Sequence, residues 1–145
     1  MKTGLIALGA LLAAASLAAQ APPASVTTIP GAEVTAAFAK GRPLIENSAY
    51  KIHASRRDGP GQAEVHALDT DIFHVLEGSA TLVTGGQITD AKETAPNERR
   101  GAAITGGTSQ RLAKGDIVIV PKGVPHQFTE TSAPFLYYTV KVTQP

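Results

Sequence analysis

The chain has no cysteine. No disulfide can hold it, and no zinc site can be built on thiolates, so its core must hold it, aided at most by a metal ion or a second subunit. It also lacks an excess of charge of either sign, with 13 Lys plus Arg against 12 Asp plus Glu. Setting Lys2 aside makes the two counts equal, and no basic stripe remains to neutralise phosphates, which argues against nucleic acid as a partner. Long hydrophobic runs are missing after the N-terminus. No serine lies in a strand–turn–helix elbow of the kind hydrolases use, and no glycine-rich loop leads into a helix that could cradle phosphate. Neither an internal repeat nor a heptad pattern is present.

The one long apolar stretch, residues 5–17, follows Met1-Lys2 and precedes the small residues Ala18, Ala19 and Ala21. A short positive start, an apolar core and small residues together make residues 1–20 a secretory signal peptide, cut near Ala19 or Ala21. The apolar core is short for a membrane span, which leaves a retained anchor as the alternative. The expected location is periplasmic or secreted, with no membrane association after cleavage. Residues 21–30 are rich in Pro, Ala and Thr and read as a flexible leader. Residues 31–145 are expected to form a single domain.

Within that domain Val34, Ala37 and Phe38 repeat at helical spacing between Pro30-Gly31 and Gly41, which predicts one short amphipathic helix. Everything beyond Gly41 reads as strands: 43–46, 50–56, 63–67, 71–77, 80–84, 102–105, 110–112, 117–120, 126–130 and 135–142. Glycine-bearing turns separate them, at Asp58-Gly59-Pro60-Gly61, Glu77-Gly78, Gly85-Gly86, Gly106-Gly107, Lys114-Gly115-Asp116 and Pro121-Lys122-Gly123. Many short strands with little helix point to an all-β antiparallel barrel or sandwich, with the jelly roll as the expected member. The polar stretch 87–100 has no apolar periodicity and is expected to be a surface loop.

Chemistry is concentrated in a few residues. Glu64 and His66 are two apart on one strand and so share a face. Asp71 opens the next strand and returns toward His66 if the link between them is tight. His126 follows an apolar strand and a proline–glycine turn. Two imidazoles with one or two carboxylates suit Fe, Mn, Zn, Ni or Cu as a divalent ion. Each residue also has a plainer reading, as a packed histidine or a solvated carboxylate. His74 falls on the face opposite Asp71 and reads as structural. On strand 50–56 the apolar set is Tyr50, Ile52 and Ala54, so His53 is expected at the solvent. If the Lys51 face were inside, Lys51 and His53 would become substrate contacts. Arg99-Arg100 would clamp an anion or be merely solvated. Tyr137 and Tyr138 must face opposite sides.

The run from Gly115 to His126 resembles the second motif of the cupins: glycine, five residues, proline, one residue, glycine, two residues, histidine. Glu130 stands where that motif closes on asparagine. Anchoring the first cupin motif on Gly78 puts Asp71 at its glutamate, His66 at its second histidine and Glu64 at its first. The leading glycine then falls on Asp58, beside Gly59. The resemblance implies a cupin jelly-roll barrel with Glu64, His66, Asp71 and His126 around one divalent transition metal. His66, Asp71 and His126 would be facial ligands, and Glu64 a fourth ligand or the general base. A small organic substrate and an oxygenase-, isomerase- or lyase-like reaction follow as expectations, with a homodimer possible. The alternatives are a module that binds a small ligand or metal without converting it, and a metal-free structural barrel.

Overall fold

The computed structural model describes residues 25–144. The expected signal peptide, and the leader up to residue 24, lie outside the described residues.

After an unstructured 25–30, α1 (Gly31–Phe38) is followed by thirteen strands: β1 (Arg42–Glu46), β2 (Tyr50–Arg57), β3 (Ala63–His66), β4 (Asp69–Glu77), β5 (Ser79–Thr84), β6 (Gln87–Ile88), β7 (Lys92–Ala95), β8 (Glu98–Gly101), β9 (Ile104–Thr105), β10 (Thr108–Ala113), β11 (Ile117–Val120), β12 (His126–Thr131) and β13 (Phe135–Thr143). They form two main sheets, β1-β2-β13-β4-β11 and β10-β5-β12-β3-β8-β7, and a small β6-β9 pair. All pairings are antiparallel. This is the expected jelly-roll barrel with one short N-terminal helix.

Inward-facing residues sort into two levels. Phe73 and Val75 of β4, Leu82 of β5, Phe128 of β12 and Phe135 and Tyr137 of β13 fill an apolar level, each 4% exposed or less. Their rings interlock, with centroids 4.8 Å apart for Phe135 and Tyr137 and 5.4 Å for Phe73 and Phe128. Further along the same faces the residues turn polar: Asp71 on β4, His126 on β12, Thr139 and Lys141 on β13. Register keeps the levels aligned, since Tyr137 pairs with Val75 and Lys141 with Asp71. One end of the barrel is therefore a packed core and the other a polar chamber.

Two expectations from the sequence need correction. The stretch 87–100 is largely strand rather than a surface loop: β6 opens it, and β7 and β8 form a hairpin turning through Asn97 at φ 64. Its strands carry no apolar alternation because β8 pairs with β3 and turns polar residues toward the chamber. The second concerns β2. Ala54 on its apolar face is fully buried, α1 packs against β1 and β2, and Phe38 of α1 meets Tyr138 edge-on at 5.1 Å. That face is covered by the helix, so Lys51, His53, Ser55 and Arg57 line the chamber instead. His74 is exposed on the outer face of β4, opposite Asp71, as expected.

Candidate metal centre in the polar chamber

β3 carries Glu64 and His66 inward on the same face, as its two-residue period requires. It is flanked by β12, where His126 pairs with Glu64, and by β8, where Arg100 pairs with Glu64 and Glu98 with His66. The Pro121–Gly123 turn is tied to β3, because Gly123 N donates to the His66 carbonyl at 2.8 Å. Gly123 has φ +80, which a side chain would strain. This turn delivers His126 to the mouth of the core, where its ring lies 5.5 Å from that of His66.

His126 is 1% exposed, and its Nδ1 lies 3.2 Å from the Val124 carbonyl. A carbonyl only accepts, so Nδ1 carries a proton and Nε2 faces the chamber. There Nε2 meets Glu64 Oε1 at 3.4 Å and Asp71 Oδ2 at 3.5 Å, ion-pair distances without hydrogen-bond geometry. Burial alone would depress the His126 pKa, but the two carboxylates overcome it and raise it to about 9. The same balance runs the other way for Glu64. Burial pushes its carboxyl up, yet His126, Arg100 and His66 bring it down to about 2. Glu64 Oε2 also forms an ion pair with Arg100 Nη2 at 2.6 Å, and Arg100 Nε donates to Glu98 Oε1 at 2.7 Å.

Asp71 is 1% exposed and lies 3.5 Å through Oδ2 from His66 Nε2. The same Oδ2 accepts from Lys141 Nζ at 2.6 Å, and Lys141 Nζ also lies 2.9 Å from His66 Nε2. An ammonium only donates, so Nε2 of His66 accepts and its Nδ1 bears the proton, facing Glu98 Oε2 at 3.6 Å. Burial, then Lys141, hold the His66 pKa below its ordinary value.

All four sequence-expected residues therefore converge. Glu64, His66 and His126 each offer a ligand atom within 4.8 Å of the other two, and all three are buried. Asp71 is not part of that set, although its Oδ2 touches both histidines. Two buried atoms at the centre, His126 Nε2 and Asp71 Oδ1, have no hydrogen-bond partner among the described residues. Buried polar atoms ordinarily have one. Imidazole nitrogen and carboxylate oxygen are donors that a divalent transition metal accepts, so the residues present fit such an ion.

Sequence reasoning missed Lys141 and Glu98, and weighed Arg100 only as part of a loop. Lys141 was detectable as a polar break in the inward series Phe135, Tyr137, Thr139. Two cavities adjoin the centre, one of about 240 Å³ reaching Glu46, Lys51 and Asp69, the other of about 210 Å³ reaching Arg57, Glu64 and Arg100. His53, Glu98 and Lys141 line both. Arg57 donates through Nε to Tyr137 Oη at 2.9 Å and lies 5.0 Å above the Phe128 ring.

No protein-family model matches the chain, and no curated protein matches it. Solved structures do. BH2720 from Bacillus halodurans is 12% identical, with 85% of this chain and 86% of that one covered at a TM-score of 0.59. Hydroquinone 1,2-dioxygenase from Sphingomonas sp. TTNP3, with 4-hydroxybenzoate bound, is 15% identical over 73% of this chain and 66% of that one, TM-score 0.53. KdgF from Halomonas sp. is 13% identical over 72% and 80%, TM-score 0.52. The fold is a cupin-type jelly roll. At these identities the likeness speaks to the fold alone, and one barrel hosts many chemistries.

Proposed function

We propose that this protein binds one divalent transition-metal ion, drawn from Fe, Mn, Zn, Ni or Cu, and acts on a small organic molecule admitted to the polar chamber. Glu64, His66 and His126 hold the ion, with Asp71 beside them. The observation that carries the reading is the convergence of three buried donors within 4.8 Å of one another, at a centre with two buried polar atoms lacking partners. Such an ion supplies a Lewis acid that polarises a substrate oxygen. Arg57 and Lys51 present cations to an acidic substrate group from the chamber wall. Of the two roles open to Glu64, ligand suits it better, because it is one of the three buried donors that lie within 4.8 Å of one another. The reaction is oxygenase- or isomerase-like, a reading to which the dioxygenase of the same fold lends support. An exported, periplasmic or secreted setting and a single barrel domain over 31–145 belong to the same proposal.

Elemental analysis of the purified protein after dialysis without chelator tests it. About one equivalent of metal is expected in the wild type, lost in His66→Ala and His126→Ala. A wild type that takes up none of the five metals on reconstitution would overturn it.

A further inference from the structure

A cation already stands against one of the three donors. Lys141 Nζ lies 2.9 Å from His66 Nε2 and 2.6 Å from Asp71 Oδ2. An imidazole nitrogen has a single lone pair in the ring plane, and a lysine N–H occupies the one on His66 Nε2. A metal ligand must offer that same lone pair. His66 can therefore serve the lysine or the ion, but not both at once.

We propose that Lys141 is a built-in cation that competes with the metal ion for His66, so that loading the centre requires the lysine to swing away. The proposal rests on the metal-binding reading above. Three features support it. Backbone register holds Lys141 level with Asp71 on β4 and with Lys51 on β2, so the ammonium is placed by the sheet rather than by chance of side-chain reach. Second, Asp71 is 1% exposed and a buried carboxylate without a partner is costly, and Lys141 at 2.6 Å is its nearest cation, with His126 at 3.5 Å. Third, the displaced side chain has a destination. The cavity of about 240 Å³ beside it is lined by the carboxylates Glu46, Asp69 and Glu98. A lysine stem is long and flexible enough to turn a point charge toward them. Asp69 already receives Lys51 at 2.6 Å and Thr143 Oγ1 at 2.7 Å, which leaves Glu46 and Glu98 as the carboxylates for Lys141 to approach.

The consequence is a centre that exchanges one cation for another. Metal affinity is lowered by the fraction of molecules in which the lysine is latched, and Lys141 sets how readily the ion enters and leaves.

Co²⁺ titration, followed by visible absorption and calorimetry, separates this from simple charge repulsion. Four proteins are compared: wild type, Lys141→Met, Lys141→Gln and Lys51→Met. The glutamine variant keeps a donor toward Asp71 should methionine disturb folding. Lys51→Met removes an equal charge from the same cavity without freeing His66. Competition predicts that both Lys141 variants bind Co²⁺ about tenfold more tightly or better, and that Lys51→Met changes Kd by less than about threefold. Lys141 variants that bind no more tightly than Lys51→Met would overturn it and leave the metal centre standing. Failure of all four to bind Co²⁺ or any of Fe, Mn, Zn, Ni and Cu would overturn the metal centre and the competition together.

Discussion

In the metal-free protein, the Glu64–His126 pair should shape stability against pH. His126 has its pKa raised from 6.5 to about 9 by the carboxylates at its Nε2, against the opposing effect of burial. A group whose folded pKa is raised contributes stability that is complete below its unfolded value and is lost as pH rises through the folded one. Metal-free protein should thus be most stable up to about pH 6.5 and lose about 3 kcal/mol between pH 6 and pH 9 from this group. The acid limb is the mirror image. Glu64, lowered from 4.5 to about 2, contributes stability that is present above 4.5 and lost as pH falls toward 2. Each residue stabilises the charged form of the other, so the two limbs report one interaction and are not summed. Urea unfolding in the presence of chelator, at half-unit intervals from pH 5 to pH 9, measures the alkaline limb. His126→Gln should flatten it, since glutamine keeps polar bulk without a titrating ring. Saturating metal should reverse the trend, because the ligand form of His126 has lost its Nε2 proton and affinity rises with pH. Wild-type stability that stays level from pH 6 to pH 9, or a fall of equal size in His126→Gln, would refute the reasoning.

Two further predictions concern the charge arrangement and the turns. Asp71→Ala removes the carboxylate that holds Lys141, and because the ammonium can turn toward Glu46, Asp69 and Glu98 in the adjoining cavity it should cost about 1–3 kcal/mol in urea unfolding; Asp71→Asn, which keeps an acceptor, should cost less, and equal losses would contradict the ion-pair account. Gly78 and Gly85 both have positive φ, 80 and 74, but they differ in surroundings. A Cβ on Gly78 would press on Ser132 Oγ and come 2.7 Å from the Pro134 carbonyl oxygen, whereas one on Gly85 meets nothing within 4 Å. Gly85→Ala should therefore cost only backbone strain, about 1 kcal/mol, and Gly78→Ala clearly more. Similar melting temperatures for the two variants would count against that distinction.

Much of this protein is readable from its sequence. Glycine turns and short alternating runs place ten of the strands to within a few residues, because turn chemistry and a two-residue period are local properties. The same period puts Glu64 and His66 on one face, and the spacing from Gly115 to His126 marks the turn that carries the second histidine. What a period cannot say is which face lies inside. On β2 that is decided by α1 covering the apolar side, which turns Lys51, His53 and Arg57 into the chamber. The strands within 87–100 escape notice for a related reason: β8 is a strand by pairing with β3, and its inward residues Glu98 and Arg100 serve a polar site, so no apolar signal exists to detect. Lys141 reaches Asp71 across 70 residues of chain. That contact depends on the register of β13 against β4, and register between distant strands is a property of the folded barrel. Local sequence determined the strands and most of the donors, while tertiary pairing alone decided which cation stands among them.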